Sequence, residues 1–328
     1  MWTRKKVGVS VVAFLIFVAV QIGRGKILLE DIAMILSSIE EHSPACFMRD
    51  HDLQQKLALV RTWAQNEMAL SMGMGGWKIP MKYINSLLGP YHIRVFFDDE
   101  VIGENKQLPA FEWEYDPPSS KKITVFFRSC NIGKDSKSSE NFERLLATLG
   151  SNGVEEITFD MRGNRGGNSN YGNAIVESIF GKYAIDWLIA NYFRATHYRL
   201  TAENLKRFAV NGEPNIEKLR MDFNSGRHMH VEFPKAERGD LFLRRKNIPH
   251  IRVLMDDKLF SAAADFVAML QLLDENIEII GPRGIFEYSY GDIDSRRLPS
   301  NRGFFIFPMK YSEMRNDVPV RIVPTHSK

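Results

Sequence analysis

The chain has 328 residues, of which 44% are hydrophobic and 25% charged, enough apolar content for one large core or two modest ones. A formal charge of +3, with Lys and Arg scattered along the chain, leaves no basic stripe and argues against a nucleic-acid partner. Two cysteines, Cys46 and Cys130, are too few for a disulfide scaffold. Free buried thiols are their commoner arrangement, although a pair in an exported chain stays open.

The basic start MWTRKK leads into an uncharged apolar run over residues 7–23, near the lower limit for crossing a bilayer. Residues 1–26 therefore read as a signal peptide or an N-terminal membrane anchor. AVQIGRG is a poor cleavage site, which favours the anchor. The basic flank stays in the cytoplasm, so the main domain is expected outside it, in the periplasm or at the cell surface.

Residues 27–90 carry three helical patterns, LLEDIAMILSSIEEHS, DLQQKLALVRTWAQNEMALS and PMKYINSLLG, each with apolar residues at i, i+3, i+4 spacing. They predict an all-helical N-terminal lobe. From Tyr91 the period shortens, and YHIRVFFDD, AFEWEYD and KITVFFRS read as strands. The helix SENFERLLATLG, the strand VEEITFDM, a glycine-rich turn and a helix from NAIVESIFG toward AIDWLIANYF follow, the alternation of an α/β sheet. Residues 195–249 read as an irregular insertion within a 91–328 domain, with TAENLKRFAV a helix and HMHVEF a strand. HIRVLMDD, SAAADFVAMLQLLDE and IEIIG resume the alternation. Beyond Gly284, short strands joined by turns at SYGD, PSNRG and RND are expected. The pair His228 and His230 shares a strand face but lacks a third ligand, so an exposed strand is preferred to a metal site.

Two constellations carry chemistry. DMRGNRGGN, residues 160–168, lies beyond a strand and before a helix, where open α/β sheets bind ligands. Its glycines present bare N–H groups to an anion. The spacing matches neither nucleotide-binding glycine pattern, which leaves an oxyanion hole or a plain tight turn. The second is KLFSAAADF, where Ser261 opens a helix. An N-cap is the usual role of such a serine, but Ala262, Ala263 and Ala264 leave room for a substrate, and a first-turn N–H lies beside the hydroxyl. As a nucleophile Ser261 needs a base. Lys258, three residues earlier, is the nearest lysine, and His92, at the entry to YHIRVFFDD, stands where a side chain can face a cleft.

In this order the pieces resemble the tail-specific, C-terminal processing serine peptidases of family S41. DMRGNRGG is similar to the family's D-x-R-x-N-x-G-G, and VLMDDKLFSAAADF to its strand, serine and helix. LLGPYHIRVF occupies the place of a D-G-H-T segment. IIGPRGIFEYSYGD, with RRLPSN, and LLEDIAMILSSIEEHSPACF resemble the tricorn-like branch, which lacks a PDZ domain and uses histidine in place of lysine. The resemblance implies a crotonase- and ClpP-like α/β core with a helical N-terminal lobe and short C-terminal strands. It also implies Ser261 as nucleophile, His92 as base, an oxyanion hole from Gly166 or Gly167 with Ala262, no metal or organic cofactor, and peptide or unfolded protein as substrate. Glu313 is a weak candidate for orienting His92. The departures are Ala264 in place of a glutamate, Asp265 one position on, Pro90 and Ile93 in the histidine segment, and Pro324-Thr325 for the usual P-D. They keep open a rival, a protein that binds peptides or a partner without cutting. Hydrolysis of a small ester is a further alternative.

Overall fold

The structure is a computed structural model, and it describes residues 28–46, 51–66, 78–89, 93–97, 108–116, 120–134, 136–151, 153–233, 242–282, 290–315, 322, 324 and 325. The apolar run 7–23 and His92 lie outside these residues. Among the described residues no helix is long and apolar enough to cross a membrane.

In chain order the helices are residues 28–42 (α1), His51–Asn66 (α2), Lys78–Leu88 (α3), Ser136–Gly150 (α4), Ser169–Phe180 (α5), Ala184–Tyr192 (α6), Ala202–Val210 (α7), Ile216–Asn224 (α8) and Ala262–Leu273 (α9). The strands are Arg94–Phe97 (β1), Phe111–Tyr115 (β2), Lys122–Phe127 (β3), Glu156–Asp160 (β4), Phe193–Arg199 (β5), Met229–Glu232 (β6), His250–Leu254 (β7), Glu278–Ile280 (β8), Tyr290–Arg297 (β9) and Gly303–Met314 (β10). This is the mixed α/β class that the periodicities predict. Three details differ from expectation. The segment after AIDWLIANY turns into strand β5, and EKLRMDF lies in helix α8, two elements not expected from the sequence. Among the described residues the C-terminal region shows two strands of eight and twelve residues, longer than the short strands expected. PSNRG lies between them, whereas Tyr290, Gly291 and Asp292 of SYGD are already strand.

The chain divides into two compact units. The first comprises Met1–Glu104, Tyr198–His230 and Gly291–Tyr311, segments far apart in the sequence. The physical reason lies in α1. Its apolar stripe, Leu28, Ile32, Ile35 and Ile39, is buried, and polar groups along it find partners far along the chain. Arg199 Nε donates to the Glu41 carbonyl at 2.8 Å, Asn204 Nδ2 to the His42 carbonyl at 3.0 Å, and the Ser300 N–H to Asp31 Oδ1 at 2.8 Å. Buried polar groups need such bonds, which tie these segments together. In this unit β1 and β9 both pair with β10. His228 is exposed, whereas His230 is buried, its Nδ1 2.5 Å from Asp222 Oδ2. His228 precedes β6 and His230 within it is buried, so the exposed strand expected at HMH is not found.

The second unit comprises Asn105–His197, Val231–Tyr290 and Ser312–Lys328. Its sheet has the order β2-β3-β4-β7-β8; β2 runs antiparallel to β3, and the β3, β4, β7 and β8 pairings are parallel. Alternating Ile123, Val125, Phe127, Ile157, Phe159, Ile251 and Val253 are buried. Phe266 of α9 packs edge-on against Phe127 and Phe159, with ring centroids 5.6 and 5.1 Å away. Gly172 of α5 lets that helix close on Phe266, since a Cβ there would stand 3.2 Å from its ring. The register places Asp160 opposite Leu254. The loops that leave β4 and β7 therefore start side by side at the carboxyl edge of the sheet, the usual ligand position in such folds.

Candidate active site

The loop after β4 is DMRGNRGGN. Asp160 and Arg162 form a bidentate pair, Nε to Oδ1 at 2.8 Å and Nη2 to Oδ2 at 2.5 Å, and the Arg162 N–H also reaches Oδ1 at 3.2 Å. Burial alone would raise the Asp160 carboxyl, but the bonds and charge of Arg162 outweigh it and hold the group below the usual carboxylate range. The pair is scaffolding at the strand end. Asn164, fully buried, organises the turn from inside: its Nδ2 donates to the Phe127 carbonyl at 2.8 Å, and its Oδ1 accepts the Gly166 N–H at 2.9 Å. From the end of β3, the Cys130 N–H donates to the Gly166 carbonyl at 3.0 Å, and the Asn168 N–H to the Cys130 carbonyl at 3.1 Å. Neither cysteine is in a disulfide, and burial pushes the Cys130 thiol up to about 12. It is a packing residue and not a nucleophile.

Gly166 and Gly167 hold φ of 92° and 137°, values that L side chains rarely adopt. Space also requires glycine. A Cβ on Gly166 would lie 2.7 Å from the Phe260 carbonyl oxygen, 2.8 Å from Ser261 Cβ and 3.0 Å from the Ala262 nitrogen. The glycine turn thus rests directly on the serine loop, where Gly166, Ser261 and Ala262 lie side by side. Because the Gly166 N–H is taken by Asn164, the choice between the two glycines as oxyanion donor narrows to Gly167. Among the described residues, neither the Gly167 N–H nor the Ala262 N–H has an acceptor.

Ser261 stands at the entrance of α9 with φ 53° and ψ −134°, and its side chain makes no capping hydrogen bond. Asn168, by contrast, caps α5 through its side chain, which accepts the Asn170 N–H at 3.0 Å. Ser261 is therefore not the ordinary cap that its position suggests. A strained serine at a sharp strand-to-helix turn, whose hydroxyl makes no capping bond, is a nucleophile-elbow geometry.

Asp256 is the residue that sequence reasoning passed over. Its Oδ2 accepts the Gly163 N–H and its Oδ1 the Lys258 N–H, both at 3.0 Å. An acid just past a strand end looks like any loop residue, so only the tertiary contact marks it. Lys258 is exposed. Ala264 is buried where a glutamate was expected from the resemblance. Glu313 lies within β10, not in a turn, and receives Arg194 Nη1 and His197 Nε2, both at 3.1 Å. Its carboxylate oxygens are thus engaged by those two residues. Ile93, next to His92, is buried, and its N–H points to the Leu88 carbonyl at 3.4 Å.

An elbow serine facing a glycine turn across the ends of two adjacent parallel strands is similar to the arrangement found in serine hydrolases. The sequence pattern of Peptidase family S41 matches residues 122–286, half of the chain, and the protein belongs to that family, whose substrates are peptides or proteins. No curated protein matches the chain. Similar solved structures include a lipoprotein from Streptococcus agalactiae, 12% identical with a TM-score of 0.44 and covering 92% of each chain. Mature CPAF is also 12% identical, with a TM-score of 0.40 over 66% of this chain and 49% of its own. The photosystem II D1 C-terminal processing protease is 11% identical, with a TM-score of 0.33 over 66% of this chain and 47% of its own.

Proposed function

We propose that this protein is a serine peptidase that cleaves peptides or unfolded protein outside the cytoplasm, held there by the N-terminal segment. Ser261 attacks the scissile carbonyl, and His92 takes its proton and returns it to the leaving amine. The N–H groups of Ala262 and Gly167 hold the oxyanion. The observation that carries this reading is the backbone of Ser261: a non-glycine residue held at φ 53° with no capping bond in return. Such strain persists where function requires it. Gly166 contributes by absence, since any side chain would strike the serine loop.

One observation favours a second reading, a protein that binds chain ends without cutting them: the buried Ala264 removes a carboxylate from the helix that follows the serine. A serine-directed fluorophosphonate probe separates the two. The wild type is expected to label and Ser261→Ala to stay blank. Absence of label on both, with both folded, would overturn the peptidase reading in favour of the binder. His92→Ala is expected to slow labelling by about 100-fold or more. Protease digestion of intact cells checks the location, since an extracytoplasmic domain is degraded while cytoplasmic markers survive.

A further inference from the structure

Ser261 and the glycine turn belong to separate loops, one after β7 and one after β4, and an oxyanion hole works only if their spacing is held to a fraction of an ångström. Van der Waals contact between Gly166 and Ser261 sets a lower limit on that spacing. It does not stop the loops from moving apart.

We propose that Asp256 is the positioning residue that clasps the two loops and thereby sets the geometry of the oxyanion site, an inference that rests on the serine-hydrolase reading above. Its carboxylate accepts two loop amides at once. One, Lys258 N–H, lies in its own loop, three residues before the nucleophile. The other, Gly163 N–H, lies 93 residues away in sequence, three residues before Gly166. Each oxygen accepts one bond at 3.0 Å, so the carboxylate forms a rigid bridge from one loop backbone to the other. Gly163 has no side chain to compete for the site, and its φ of 80° belongs to the turn that brings its N–H to Asp256. The Leu254 carbonyl, which accepts the Met161 N–H at 2.8 Å, extends the β4–β7 pairing up to the clasp. Below Asp256 the loops are therefore registered by sheet bonds, and beyond it by the carboxylate.

Asp256 does not touch the reacting atoms, so its removal is expected to alter the chemical step and leave probe binding alone. With the fluorophosphonate probe, Asp256→Ala should lower the maximal inactivation rate by about 10- to 100-fold while the half-saturating probe concentration stays within about twofold. Asp256→Asn keeps one acceptor oxygen and should fall between Ala and wild type. The final fraction labelled should equal that of the wild type, since a merely structural loss would reduce that fraction and not the rate. Hydrogen exchange supplies a readout that needs no activity: peptides covering 161–169 and 256–262 should lose protection together in Asp256→Ala, with α4 unchanged. A wild type that never labels refutes the serine-hydrolase reading, and exchange then decides the clasp alone. Unchanged exchange in either loop, or loosened loops with an unchanged labelling rate, would overturn the proposal.

Discussion

The conformation of Ser261 gives the sharpest test of the site, because it predicts a stability signature opposite to that of a helix cap. Replacing a serine that caps a helix by alanine costs about 1 kcal/mol. Ser261 makes no capping bond, so Ser261→Ala should change stability by less than about 0.5 kcal/mol. Ser261→Gly goes further. A non-glycine residue held outside its favoured backbone regions costs about 1–3 kcal/mol, and glycine removes that cost. The greater freedom of glycine in the unfolded chain returns about 0.4–1 kcal/mol, which leaves a net gain of about 1 kcal/mol. Asn168→Ala, at a cap that does accept a hydrogen bond, should lose about 1 kcal/mol and serves as the control. Urea unfolding followed by circular dichroism measures all three. A Ser261→Gly variant less stable than wild type, or a Ser261→Ala variant as damaged as Asn168→Ala, would refute the strained-elbow argument.

Gly166→Ala should destabilise by more than about 2 kcal/mol, because both φ of 92° and contacts of 2.7–3.0 Å oppose a methyl group. Gly163→Ala meets open space at φ 80° and should cost only about 1 kcal/mol, so a thermal melt that ranks them the other way counts against the packing described. Asp160 titrates lower in the folded than in the unfolded protein. Its stabilisation is therefore present above the unfolded carboxylate pKa, about 3.9, and is lost as pH falls toward the folded value. Asp160→Asn should flatten the acid limb of the Tm-against-pH curve, and an unchanged limb would show that the pair contributes nothing.

Much of the fold is legible because burial is periodic. Ile32, Ile35 and Ile39 mark a helix face, and the alternation in KITVFF and EITFD marks strands whatever lies around them. The turn DMRGNRGG and the serine loop are legible for a related reason, since glycine and small residues at a strand-to-helix junction report a close approach by something. Legibility fails where a segment depends on distant partners. FRATHYR lies in a strand although its residues read as the end of one helix and the start of an irregular stretch. Residues 198–230 join the N-terminal helices because Arg199 and Asn204 satisfy the carbonyls at the end of α1.

The candidate site divides along the same line. From the amino-acid order alone come the identity of the serine, the glycine turn and the family they resemble, because these are properties of short contiguous segments. Tertiary structure decides that Ser261 is strained and not a cap, that Asn164 takes the Gly166 N–H and so turns attention to Gly167, and that Asp256 bridges the two loops. A backbone dihedral or a hydrogen bond between residues 93 positions apart is fixed by whatever closes around it, and no local pattern of residues encodes that.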